Sequence, residues 1–288
     1  MSDIDDMFKR ALSTMSGSDV DSTIEATKSG LTASSSDIDI LDYIAVRLCE
    51  CLDTKEMAFH GGYVLNKVLP KGMARGTVDV DVSILTEEYY SKVVEVLKSI
   101  GDTLVQDGVV ASYKYKDVAT EECSGGLDLY RLSSEKRKLG VDVGLRDVKR
   151  CVVPLTITSD VSAFRFSIER MLADKMNALH TDKRYRRTKD LYDFFVVTQC
   201  FDVDVEVLMS ELTDYSKIDW SNSPMNPEIR DKYEMAYNKL RIYNGDDFKL
   251  VSSSGVQFKD AMSRVGDFIS NIDKSVIWKC DSRSFIRK

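Results

Sequence analysis

Along the chain the spacing of apolar positions changes character twice. Residues 1–36 hold a short amphipathic piece, Ile4–Met15, followed by a Ser/Thr/Gly-rich stretch that ends in "SGLTASSSD". That composition predicts a loop closing on a helix cap at Ser36 or Asp37. The next run, "IDILDYIAVRLCECL", has the helical period of a buried face. "MAFH" predicts a short strand, Gly61 and Gly62 a turn, and "YVLNKVL" a helix stopped by Pro70. Residues 77–85 alternate strictly and predict a strand, and "EEYYSKVVEVLKSIG" predicts a helix closed by Gly101. Alternating, β-branched patterns over 103–116, 127–132, 139–145 and 150–157 predict four more strands. Beyond Asp160 only helical periods follow, in "FSIERMLADKMNALH", "TKDLYDFFVVTQCF", "VEVLMSELTDY", "PEIRDKYEMAYNKLRIY" and "VQFKDAMSRVGDFISNI". The chain is therefore expected to be α+β: an extension over 1–36, a mixed-sheet domain over 37–160 and an all-α domain over 161–288.

Composition narrows the class. A chain of 288 residues with 43% hydrophobic and 30% charged residues can bury a sizeable core. A net charge of −7 argues against a protein that coats nucleic acid by bulk electrostatics, yet leaves room for a local basic patch. The acidic start "MSDIDDMFKR" has no signal-peptide character, and no apolar run reaches the roughly 20 residues that span a bilayer. A cytoplasmic protein without a membrane partner is expected. Six cysteines without C-x-x-C spacing and only two histidines make a zinc site improbable and point to reduced thiols.

The chemistry concentrates in "FHGGYVLNKVLPKGMARGTVDVDVSI". On a strand, Asp79 and Asp81 share one face, about 7 Å apart along the chain, and Val78, Val80 and Val82 share the other. Two carboxylates so close are tolerated in water or around a divalent cation. An ordinary wet strand face explains them equally well when they are taken alone. Gly61 and Gly62, between a strand and a helix N-terminus, offer backbone amides suited to phosphate, although glycine pairs also mark plain turns. "KLGVDVGLRDV" places Asp142 between valines on another strand, either as simple alternation or as a third carboxylate. Three carboxylates together with phosphate oxygens suit Mg²⁺ or Mn²⁺.

A glycine pair opening a helix, then Arg75, Thr77, Asp79 and Asp81 in "RGTVDVDV", then a later strand Asp, resembles the DNA polymerase β-like nucleotidyltransferase superfamily. "RMLADKMNALHTDKRYRRTKDLYDFFVV" resembles the AbiEii/AbiGii toxin family, through Lys175, Ala178, Leu179, Lys189, Asp190, Leu191, Tyr192 and Asp193. Tyr63 departs from the Ser or Thr that often follows the glycine pair. The resemblance implies a type IV toxin–antitoxin nucleotidyltransferase linked to abortive infection and phage defence. It implies transfer of NMP from an NTP to RNA, with the tRNA 3′ end favoured, and a separate DNA-binding antitoxin. It assigns the metal to Asp79, Asp81 and Asp142, and the triphosphate to Gly61, Gly62, Arg75, Thr77 and Lys175. Either Asp190 or Asp193 would orient Lys175 or bind base or metal. Lys183, Arg184, Tyr185, Arg186, Arg187 and Lys189 form a basic segment around one tyrosine, suited to phosphates and a stacked base of single-stranded RNA or else simply a solvated loop. The alternatives are transfer to a small-molecule hydroxyl, as in aminoglycoside-modifying enzymes, and a non-catalytic nucleotide-binding module.

Overall fold

The computed structural model describes residues 29–86, 89–118, 124–132, 138–145, 151–180, 187–215, 255–270 and 276–287. The expected pieces Ile4–Met15 and 227–243, and the basic residues Lys183–Arg186, lie outside them. The chain divides into two compact units, residues 1–67 with 77–166, and residues 68–76 with 167–288.

The first unit is built on seven strands: β1 (Met57–His60), β2 (Asp79–Ile84), β3 (Val110–Val118), β4 (Ser124–Arg131), β5 (Lys138–Leu145), β6 (Val152–Thr156) and β7 (Ser162–Phe166). Their order is β3-β4-β5-β2-β1-β7-β6, a mixed sheet in which β2–β5 and β1–β7 run parallel. Helix α1 (Asp37–Cys51) starts at Ser36, whose hydroxyl accepts from the Asp39 amide while the Asp39 carboxylate accepts from the Ser36 amide. That reciprocal cap satisfies two of the donors a helix start leaves open. Ile40, Leu41, Ile44, Ala45 and Leu48 form its buried stripe. Helix α2 (Gly61–Val68) follows β1 directly, and α3 (Tyr90–Gln106) follows β2. Helices α1 and α3 pack on each other and on the sheet. Val80, Val82, Leu127, Leu129, Leu139, Val141 and Val143 alternate onto its buried apolar face.

Helix α3 does not stop at Gly101. It continues to Gln106, and β3 starts at Val110 rather than near 103. A Cβ on Gly101 would lie 2.8 Å from the Tyr113 ring, so this glycine makes room for a packed aromatic instead of ending the helix. The break falls at Asp107 and Gly108, where the glycine has φ +67°. The unit also extends past residue 160, because β6 and β7 form a hairpin added to β1 through β7. The helical reading of this region missed β7, since "SAFRF" is too short to establish a period. Residues 29–36 are tied to the same unit: Ser29 bonds Asp107, and Arg131 donates to the carbonyls of Ala33 and Ser35.

The second unit contains α4 (Ile168–His180), α5 (Arg187–Cys200), α6 (Val205–Tyr215) and α7 (Phe258–Ser270). It is not purely helical. β8 (Val203–Asp204), β9 (Val276–Lys279) and β10 (Ser284–Arg287) form a sheet in the order β10-β9-β8. Strands of two to four residues carry too little alternation to be read from sequence. The rings of Phe194, Phe268, Trp278 and Phe285 cluster with centroids 5.0–5.3 Å apart. The Trp278 indole donates to the Thr198 carbonyl at 2.7 Å. The buried Arg170–Glu211 pair, at 2.9 Å, joins α4 to α6. Among the described residues no helix is long and apolar enough to cross a membrane.

Phe268 touches three other rings at zero exposure. Phe268→Ala is expected to lower stability by about 3–5 kcal/mol. Denaturant titration followed by tryptophan emission checks it.

Candidate active site

Strand register assembles the acidic group of the first unit. Lys116 on β3 lies opposite Gly126 on β4, Gly126 opposite Asp142 on β5, Asp142 opposite Asp81 on β2, and Asp81 opposite His60 on β1. These residues form one row across five strands, on the sheet face away from the valines. The adjacent row on that face runs Lys114, Asp128, Gly140, Asp79. The three acidic residues expected to act together are therefore neighbours: Asp81 and Asp142 stand side by side, and Asp79 follows two residues along β2.

Local contacts hold the acids in place. The Thr77 hydroxyl donates to Asp79 Oδ1 at 2.9 Å and to the Asp79 carbonyl at 3.2 Å, orienting this carboxylate. Gly61 has φ +70°, and a Cβ there would fall 1.9 Å from Asp81 Oδ2. Only glycine permits both the left-handed backbone and this approach, so the first residue of α2 is seated against the Asp81 carboxylate. His60 stacks on Phe166 at 4.6 Å and its Nε2 lies 3.0 Å from Ser83 Oγ. Tyr63 turns inward. It is fully buried and donates to Asp42 Oδ1 at 2.9 Å, with Lys67 on the other oxygen at 2.7 Å. The phenol thus belongs to the packing between α1 and α2.

The row also holds a residue that motif reading passed over. Lys116 Nζ bonds Asp142 and lies 3.1 Å from Asp128 Oδ1, while Lys138 holds Asp128 Oδ2 at 2.6 Å. Burial alone would raise the Asp128 pKa, but Lys138 and Lys116 hold it below its ordinary value. "YKYK" and "GGLDLY" were legible as strands; their facing across the sheet was not.

Among the described residues no three acidic, His or Cys side chains converge as a ready metal cage. The donor set fits a less complete site. Asp79 and Asp81 offer hard carboxylate oxygens beside a helix start, which suits a divalent cation whose other ligands are substrate phosphates and water. Asp142 shares the face while paired with Lys116.

In the second unit Arg75 forks onto Asp193, with Nε to Oδ1 at 2.8 Å and Nη2 to Oδ2 at 2.9 Å. Lys175 Nζ lies 2.9 Å from Asp193 Oδ2 and 3.1 Å from Asp190 Oδ1. Tyr192 donates to the Met73 carbonyl at 2.8 Å. These bonds explain why residues 68–76 group with helices α4 and α5. Two cations and two anions balance. Burial opposes charge on Asp193, but Lys175 and Arg75 hold its carboxyl below the usual range. Burial likewise opposes charge on Lys175, and Asp193 with Asp190 raises its pKa above the ordinary 10.5. Thr188 lies buried within α5. Lys189 is half-buried on the same helix.

A mixed sheet carrying an acidic D-x-D pair against a glycine-led helix is the architecture of a nucleotidyltransferase. A family model described as nucleotidyl transferase AbiEii toxin, type IV TA system, matches residues 44–241. The chain belongs to this family and is a nucleotidyltransferase toxin of a type IV toxin–antitoxin system, which implies an antitoxin partner. Its fold is similar to that of MenT4, a nucleotidyltransferase toxin from Mycobacterium tuberculosis H37Rv. That match has a TM-score of 0.51 and 15% identity, covering 82% of this chain and 85% of the other. No curated protein matches the chain.

Asp193→Asn would leave Arg75 and Lys175 buried without full compensation, an expected loss of about 3–5 kcal/mol. Because the folded Asp193 pKa lies below its unfolded value, its contribution is complete above the unfolded value near 3.8 and disappears as pH falls through the folded one. The variant should therefore lose part of the acid limb of the stability profile. Urea midpoints from pH 2 to pH 7 measure this.

Proposed function

We propose that this toxin transfers a nucleoside monophosphate from an NTP to a hydroxyl of RNA, at the 3′ end of tRNA. The observation that carries the reading is the Asp79–Asp81 pair on one strand face, with Asp81 seated against Gly61 and Asp142 in register beside it. The acceptor oxygen forms a bond to the α-phosphorus as the bond to the β-phosphate oxygen breaks, and pyrophosphate leaves. Asp79, fixed by Thr77, and Asp81 would hold Mg²⁺ or Mn²⁺. When bound there, the ion polarises phosphoryl oxygens and neutralises charge building on the leaving group. Asp142 would join them as the third carboxylate ligand and take the proton of the attacking hydroxyl. The amides of Gly61 and Gly62 receive phosphate oxygens.

Lys175, kept cationic by Asp193 and Asp190, supplies positive charge to the triphosphate. Arg75 acts through Asp193 as a positioning residue, since its guanidinium fork is engaged there. The segment Lys183–Lys189, five basic residues around Tyr185, binds the RNA backbone and stacks a base. The toxin works in the cytoplasm, restrained by a DNA-binding antitoxin.

Incubation with each labelled NTP, Mg²⁺ and total tRNA tests the reading. Asp79→Asn and Asp81→Asn are each expected to lower label transfer by about 10³-fold or more while the protein remains folded. Equal labelling by wild type and variants would remove the catalytic assignment. Label on a small hydroxylated compound and on no RNA would instead establish the small-molecule acceptor.

Arg186→Glu combined with Arg187→Glu is expected to weaken tRNA binding and to lower the slope of log affinity against log salt by about 2 or more. Filter binding across a salt series measures both.

A further inference from the structure

Lys116 occupies a position that nucleotidyl transfer as described does not use. Its row-mate Gly126 has no side chain, and a Cβ there would lie 2.2 Å from the Val141 carbonyl oxygen, 3.0 Å from Lys116 Cε and 3.2 Å from Asp142 Oδ1. The glycine is therefore a slot: the lysine stem crosses β4 through it to reach a carboxylate two strands away. A second acceptor stands beside this path. Asp128 Oδ1 is buried and lacks a well-directed hydrogen bond, although Lys116 Nζ is 3.1 Å from it. The same ammonium bonds Asp142, whose side chain is half exposed.

We propose that Lys116 is an internal counter-cation for the acidic face: it holds Asp142 out of the metal ligand set until a divalent ion arrives, then swings fully onto Asp128. The exchange is local. Asp142 exchanges an ammonium for a divalent ion, and the ammonium keeps and shortens the ion pair it already makes with Asp128. Lys116 remains paired throughout, so no charge is stranded on a partly buried surface. In the metal-free state the same ion pair relieves repulsion between Asp142 and Asp81, which register places side by side. Lys116 is thus a positioning residue that sets how readily the site loads metal.

This role rests on the proposed carboxylate metal site, and the two can fail separately. The full chain, without nucleotide, is titrated with Mn²⁺ and free ion is read by electron paramagnetic resonance. Lys116→Met is expected to bind Mn²⁺ roughly tenfold more tightly than wild type, because Asp142 is released. Lys116→Arg, which keeps a cation, should retain wild-type affinity. In an Asp142→Asn background Lys116→Met should give no gain. Lys116→Gln provides the same comparison if the methionine variant does not fold. Equal or weaker Mn²⁺ binding by the neutral variants, with wild-type binding that Asp79→Asn abolishes, overturns the role of Lys116 and leaves the metal site standing. Mn²⁺ binding that Asp79→Asn leaves unchanged, or no binding by any variant, overturns both.

Discussion

Carboxylates crowded on one face of a sheet repel, and the first unit is arranged around that constraint. Asp79, Asp81, Asp128 and Asp142 all belong to two adjacent cross-strand rows. Three have a stabilising neighbour, the Thr77 hydroxyl for Asp79, Lys138 and Lys116 for Asp128, and Lys116 for Asp142, while Asp81 lies close against the Gly61 backbone. The two glycines in these rows, Gly126 and Gly140, keep space open between the acids. An apolar sheet face could not bind a cation and a triphosphate; a face of unopposed acids would not fold well. The observed compromise leaves Asp142 in the open while its charge is matched.

The second unit solves a related problem with buried charge. Arg75, Lys175, Asp190 and Asp193 form a neutral quartet in which Asp193 receives two cations and is almost fully buried. Such a set contributes little net stability compared with an apolar core, but every member depends on the others. It fixes the ammonium of Lys175 and anchors residues 68–76 to helices α4 and α5. Both Asp190 and Asp193 touch Lys175, with unequal burial, and Asp193 also carries Arg75.

Family membership and site geometry reinforce each other here. The family match covers the D-x-D strand, the Asp142 strand and the Lys175–Asp193 helices in one span. Tyr63, the one departure in the glycine motif, is explained by packing: its hydroxyl is engaged by Asp42 inside the unit.

Much of this was legible without coordinates. Period-2 alternation exposed β2 and β5, the Ser36 cap marked α1, and the D-x-D spacing alone put Asp79 and Asp81 on one face, because side-chain direction along a strand is a local property. Tertiary structure decided what local rules cannot express. Gly101 looked like a helix end and proved to be a packing site for Tyr113, a residue on another element. Short strands β7 to β10 gave no usable period. The partnership of Lys116 with Asp142 depends on two strand pairings at once, and a shift of one residue in either would send the lysine to the opposite face. Residue spacing within an element is written in the chain; register between elements is set by which faces can be buried together, and that is settled only when the sheet closes on its helices.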